Sequence, residues 1–115
     1  MAVNPDTRIT RFFGDDKHVF TLHEDKSDPL DLLRELERKF DAGIFAIFQW
    51  LYNGNAKVDV IREIIRIGLI GGGKSASEAH ALVKAYFDRE PVAEHIGLAV
   101  EILGASLYGD DKEAA

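Results

Sequence analysis

Val58 to Ala85 reads VDVIREIIRIGLIGGGKSASEAHALVKA. Within it, Gly68 to Ser75, G-L-I-G-G-G-K-S, satisfies the letter pattern G-x-x-x-x-G-K-[ST] of a phosphate-binding loop. Such a loop needs a buried strand in front, to present its N–H groups, and a helix behind, to add positive charge. The helix behind is credible, because Ser75 followed by Glu78 is a capping box. The strand in front is not. Val58, Ile61, Ile64, Ile65, Gly68 and Leu69 recur at three- and four-residue spacing, with Arg62, Glu63 and Arg66 opposite, which predicts a helix. No apolar strand ending in Asp or Glu follows Lys74 to hold magnesium. Gly71 to Gly73 therefore read as a helix stop, supplying a left-handed residue and slack before the next cap. A P-loop-like nucleotide binder remains only as a remote alternative.

Working outward, Ala79, Leu82, Val83, Tyr86 and Phe87 predict the inward face of a helix from Ala76 to Asp88. Glu90-Pro91 breaks it. A last helix then carries Val92, Ile96, Ala99, Val100, Leu103 and Leu107 inward, with Gly97 and Gly104 suggesting close approach of another helix. Upstream, Ile44 to Tyr52, IFAIFQWLY, is apolar almost all round. Such a helix is either central to the core or covered by a partner; in so small a chain central burial is the first expectation. Ile44, Ile47, Phe48 and Leu51 fall together, while Phe45, Trp50 and Tyr52 look elsewhere. Asn55 or Asp59 is the expected cap of the helix that follows.

Asp28-Pro29 predicts a capped helix start. Leu32, Leu33, Leu36 and Phe40 form its buried stripe, Glu35 and Lys39 an outer ion pair, and Gly43 ends or bends it. Nearer the N-terminus, Ile9 to Phe13 and His18 to Leu22 predict a β-hairpin around Gly14-Asp15-Asp16-Lys17. Phe20, Leu22 and His18 share one face, Val19 and Thr21 the other. Residues 1–7 and 110–115 read as disordered ends. The expected architecture is mainly α with an N-terminal β-hairpin, a compact five-helix single domain spanning 1–115.

Composition narrows the function classes. The 115 residues include no cysteine, so disulfides and thiolate metal sites are excluded. The net charge of −6 gives no electrostatic footprint for nucleic acid. A helix-turn-helix reading of the central stretch fails as well: the turn is long and glycine-rich, and Lys84 and Arg89 are the only bases of its second helix. No apolar run approaches the roughly 18 residues of a membrane span, and MAVNPDTRITRFF lacks the plan of a signal peptide. The expected location is the cytoplasm. His18, His23, His80 and His95 form no H-x-x-x-H pair and read as solvated or boundary residues. Asp15-Asp16 and Asp110-Asp111 sit in turns or tails, not across a cleft. Ser75, Ser77 and Ser106 lack a nucleophile elbow. No catalytic, metal-binding or cofactor-binding residue is assigned.

Four segments together resemble a known family: I-T-R-F-F-G-D at Ile9 to Asp15, D-V-I-R-E-I-I-R-I-G-L-I-G-G-G at Asp59 to Gly73, L-V-K-A-Y-F-D-R-E-P at Leu82 to Pro91, and L-G-A-S-L-Y-G at Leu103 to Gly109. The chain is similar to the small tail-region proteins of gene transfer agents, phage-like particles, in the group of tail tube and tail assembly chaperone proteins. Asp41 to Ala56 follows the type less closely. The resemblance implies a non-enzymatic part of a tail module, with other tail proteins as partners and no cofactor, small-molecule substrate, nucleic acid or membrane. A tube subunit needs a substantial β-sheet, and the hairpin favours a chaperone or adaptor instead. Candidate partner-binding residues are Phe12 and Phe13 on the hairpin and Phe45, Trp50 and Tyr52 on the second helix, since desolvated aromatics anchor interfaces. The alternative is a helical interaction or regulatory module unrelated to phage.

Overall fold

The structure, a computed structural model, describes residues 6–109. The readings of 1–5 and 110–115, Asp110-Asp111 included, lie outside those residues. Asp6 and Thr7 are tied to the hairpin: the Asp6 carboxylate accepts the Arg8 N–H at 2.9 Å, and the Thr7 and Thr21 hydroxyls lie 3.2 Å apart.

Among the described residues the order is β1 (Ile9–Phe13), β2 (Asp16–Phe20), α1 (Asp31–Phe40), α2 (Ile44–Tyr52), α3 (Val58–Gly71), α4 (Ala76–Tyr86), a 3₁₀ turn (Val92–His95) and α5 (Ile96–Tyr108). This is the mainly helical single domain with an N-terminal hairpin that the periodicities predict. β2 starts two residues earlier than expected, because the turn is two residues long rather than four. Gly14 has φ 74°, which suits the first central position of a type II′ turn. Phe13 thus pairs with Asp16, Arg11 with His18 and Ile9 with Phe20.

The centre of the molecule is α3, not α2. Val60, Ile61, Ile64, Ile65, Ile67 and Leu69 are all buried, and α3 packs against α1, α4, α5 and β2. α2 buries only Ile47 and Leu51 and packs against α1 and α5 at the side. Burial shows this: eight of the fourteen residues of α3 are buried, against two of the nine in α2.

The triglycine does two jobs. Gly73, at φ 116°, is the left-handed residue of a Schellman closure, with Gly73 N–H donating to Ile70 O and Lys74 N–H to Leu69 O, both at 3.0 Å. Gly71 and Gly72 lie flat against the hairpin. A Cβ on either would sit closer than 3.0 Å to the backbone carbonyl of Thr21 or Val19. Thr21 N–H donates to Gly68 O at 3.2 Å across the same seam. The following helix begins with the expected capping box, Glu78 N–H to Ser75 Oγ at 3.1 Å and Ser75 N–H to Glu78 Oε1 at 3.0 Å.

Several local expectations are corrected by tertiary contacts. α1 begins at Asp31 rather than behind Asp28; the Asp28 carboxylate instead accepts the Leu30 N–H at 3.2 Å and pairs with Arg34. α1 ends at Asp41, which takes the left-handed conformation (φ 51°), while Gly43 is the N-cap of α2. α2's first amide is satisfied by Glu37, whose Oε2 accepts the Ile44 N–H at 2.8 Å. α3 has Lys57 at its N-cap without a side-chain bond, so neither Asn55 nor Asp59 serves. Lys39 does not pair with Glu35. It reaches Glu63 at 3.1 Å, joining Arg66 at 2.6 Å. Glu63, expected on the wet face, is only 5% exposed. Burial pushes its carboxyl up, but the hydrogen bonds and charges of Arg66 and Lys39 outweigh that and hold it below the usual carboxylate range. His18 and His95 are buried rather than solvated. His95 lies between the Phe13 and Phe87 rings, with Nε2 3.2 Å from a Glu90 oxygen. Ser106 is buried too, and its Oγ accepts the Leu22 N–H at 3.2 Å, fixing the exit of the hairpin to α5.

Candidate functional site

α2 contains no charged residue, and α5 contains one, Glu101. The two helices pack together and leave a row of rings on the surface. Phe48 is at its centre, half-buried, stacked on Tyr52 at 6.0 Å and edge-on to Tyr108 at 5.8 Å. Tyr108 meets Phe45 edge-on at 6.1 Å. Phe45 is 56% exposed, Tyr52 75% and Tyr108 66%. Four aromatic rings thus touch one another while three of them remain largely in water.

Local sequence explains the placement. Ile47 and Leu51 are four apart and point at the core, so Phe45 and Tyr52 must point away, and Phe48 takes the boundary. On α5, Gly104 and Tyr108 are likewise four apart. A Cβ on Gly104 would meet the Phe48 ring at 3.5 Å, ordinary contact, so this approach does not require glycine. Gly97 has open space around its Cβ position and no close helix beside it.

The candidate residues read from sequence separate into different places. Phe45 and Tyr52 join the ring cluster. Trp50 is half-buried against the core. Phe12 is 64% exposed on the outer face of the hairpin, with Lys17 Nζ 5.8 Å from its ring centroid. Phe13 is 3% exposed and meets Phe20, Tyr86 and His95 edge-on inside the core. A side chain so placed has no free area for a partner. Phe48 and Tyr108 were not singled out from sequence. Their spacing looks like core, and only the packing of α2 on α5 reveals that they share a surface.

The glycine loop is built differently from a phosphate cradle. A helix, not a strand, leads into it. Its N–H groups are already committed: Gly72 to Gly68 O at 3.0 Å, Gly73 to Ile70 O, Lys74 to Leu69 O and Ser75 to the Glu78 carboxylate. An anion would have to displace the helix closure itself. Among the described residues, no group of three or more His, Asp or Glu side chains is placed to hold a metal ion, and no helix is long and apolar enough to cross a membrane.

The family described as "Phage tail tube protein, GTA-gp10" matches residues 6–109, from Asp6, three residues before β1, to the cap of α5. The chain belongs to that family. No curated protein and no solved structure matches it. As a member of the GTA-gp10 family the chain fits a phage-like tail module, acting through contacts with other proteins, and the reading as a helical module unrelated to phage gives way.

Proposed function

We propose that this protein is an assembly chaperone or adaptor of a phage-like tail, working in the cytoplasm and holding another tail-module protein on the aromatic face of α2 and α5. The observation that carries this reading is the cluster of Phe45, Phe48, Tyr52 and Tyr108. At about 200 Å² per ring, the exposures of Phe45, Tyr52 and Tyr108 leave about 400 Å² of aromatic surface in water. That matches the largest patches of monomers, which are often functional. It is about half of one side of a standard interface, leaving room for a polar rim. Aromatics at the centre of such a patch are the usual anchors of binding energy.

The two-stranded sheet of the described residues supports an assembly role over a place in the tube wall. A wall subunit must present long sheet edges to its neighbours, and here one short hairpin is packed onto helices. The family description names the tail tube, so the two roles are separated by experiment. The tagged chain is co-expressed with the tail proteins encoded beside it, and both the captured complex and assembled particles are assayed for it. Capture of a tail protein, lost in a Phe45→Ser/Tyr52→Ser/Tyr108→Ser variant that still folds, supports the reading. Stoichiometric presence in finished tubes would overturn the chaperone role. Capture unaffected by the triple variant would remove the aromatic face from it.

A further inference from the structure

The hairpin has two edges, and among the described residues only one is closed. The outer edge of β2 is sealed by α3, through Thr21 N–H to Gly68 O at 3.2 Å and the flat contact of Gly71 and Gly72 on Thr21 and Val19. β1 differs. With a two-residue turn, the hydrogen-bonded pairs are Phe13–Asp16, Arg11–His18 and Ile9–Phe20. Thr10 and Phe12 therefore direct their N–H and C=O groups away from β2. Both residues are exposed, and with Lys17 and Val19 they form the outer face of the hairpin. Thr10 O accepts a hydrogen bond from the Arg11 guanidinium at 2.9 Å. An open strand edge of this kind is a template for another extended chain.

We propose that the open edge of β1 receives an extended, acidic segment of a partner protein by strand addition. Main-chain bonds to Thr10 and Phe12 supply the pairing, and exposed Phe12 supplies an apolar contact on alternate residues of the incoming strand. The charge of the edge selects the partner. Thr7 to Phe13 carries Arg8 and Arg11 and no acid, in a chain of net charge −6. Arg8 lies 3.6 Å from Asp6 and Arg11 3.3 Å from Glu101, with all four side chains a third or more exposed. Surface pairs of this type contribute little, so both guanidinium groups are free to exchange onto incoming carboxylates. A second copy of this chain is a poor occupant, because β1 beside β1 gathers four arginines on one short seam. The inference does not rest on the aromatic face, which lies on α2 and α5.

The test is amide exchange of the isotopically labelled full chain with two blocked peptides, one alternating valine and glutamate, one alternating valine and lysine. With the glutamate peptide at about ten times its dissociation constant, exchange at Thr10 and Phe12 slows about tenfold. The lysine peptide leaves it unchanged. Thr10→Pro, which removes one outward N–H and no ladder bond, abolishes the effect while helical circular dichroism is kept. If that variant loses its helices, Arg8→Glu takes its place and reverses the preference between the peptides. Equal slowing by both peptides, no slowing by either, or undiminished slowing in the variant overturns the proposal. Slow exchange without peptide that is released by truncation after Gly109 also overturns it, since the chain's own tail would then hold the edge.

Discussion

One substitution, made at two glycines, should change stability in opposite directions. Gly97 lies inside α5 with open space at its Cβ position. Gly97→Ala adds helix propensity and nothing else, a gain of up to about 1 kcal/mol. Gly72 caps α3 with φ −78°, a conformation that alanine adopts freely, so backbone preference again favours the change. Its surroundings do not. The new Cβ would lie 2.6 Å from the Val19 carbonyl carbon and nearer still to the oxygen. These are backbone atoms of a paired strand, and they cannot rotate aside. Either β2 or the end of α3 must withdraw, which stretches the Thr21 N–H to Gly68 O bond. Overpacking of this kind costs about 1–3 kcal/mol, and a weakened hydrogen bond about 1 kcal/mol more. Against the small propensity gain, Gly72→Ala should destabilise by about 1–3 kcal/mol. At roughly 4 °C per kcal/mol for a chain of this size, its midpoint in thermal unfolding followed by circular dichroism falls by about 4–12 °C. The midpoint of Gly97→Ala rises. A Gly72→Ala protein as stable as its parent would show that the glycines serve only as a helix stop, and that the seam between α3 and the hairpin is not set by them.

Three further outcomes follow from named contacts. Ser75→Ala removes the acceptor of the Glu78 N–H and should cost about 1 kcal/mol in urea unfolding. Glu63→Gln leaves Arg66 and Lys39 without their shared carboxylate; because both cations are partly exposed, the loss at pH 7 is about 1–3 kcal/mol. Glu63 is held below the usual carboxylate range, so the unfolded chain binds its proton more readily than the folded one. Its contribution is complete above the unfolded value, near pH 4–5, and disappears as the pH falls through the folded one. The gap between parent and Glu63→Gln should therefore close under acid, and a gap unchanged down to low pH would refute the pairing. Phe45→Ser/Tyr52→Ser should alter unfolding free energy by about 1 kcal/mol or less, because both side chains are mostly in water. Capture of a tail partner, read by binding titration, should weaken by more than about thirtyfold.

The helices were legible where one face alternates cleanly with another. The isoleucines of α3 and the Ser75–Glu78 box state their structure locally, whereas the turn at Gly14 was placed but read two residues too long. What the sequence hid depends on neighbours far along the chain. IFAIFQWLY looks more central than VDVIREIIRIGLIG, since it carries no charge, yet α3 holds the middle and buries Glu63 with it. A hydropathy pattern ranks side chains by affinity for a core; it does not say which helix the other elements pack around. The triglycine shows the same limit. Positive φ at Gly73 is a local demand and could be read, whereas the room needed by Val19 O and Thr21 O arises only once the hairpin folds onto α3. The candidate site was half visible. Phe45 and Tyr52 betray themselves by facing away from Ile47 and Leu51. Tyr108 joins them through a contact across about sixty residues that no local spacing announces.

Charge placement gives the functional reading its physical footing. A chain with 34 charged side chains among 115 residues has ample means to coat its helices. α1 uses them, with six in ten residues. α2 has none and α5 has one, although each exposes part of its surface. Leaving Phe45, Tyr52 and Tyr108 in water exposes a contiguous aromatic patch, of the kind that often marks a surface for another protein. The hairpin carries the opposite signature, an open strand edge beside arginines in an acidic protein. The two proposed surfaces lie on different elements, α2 and α5 for one and β1 for the other, so the test of each is independent of the other.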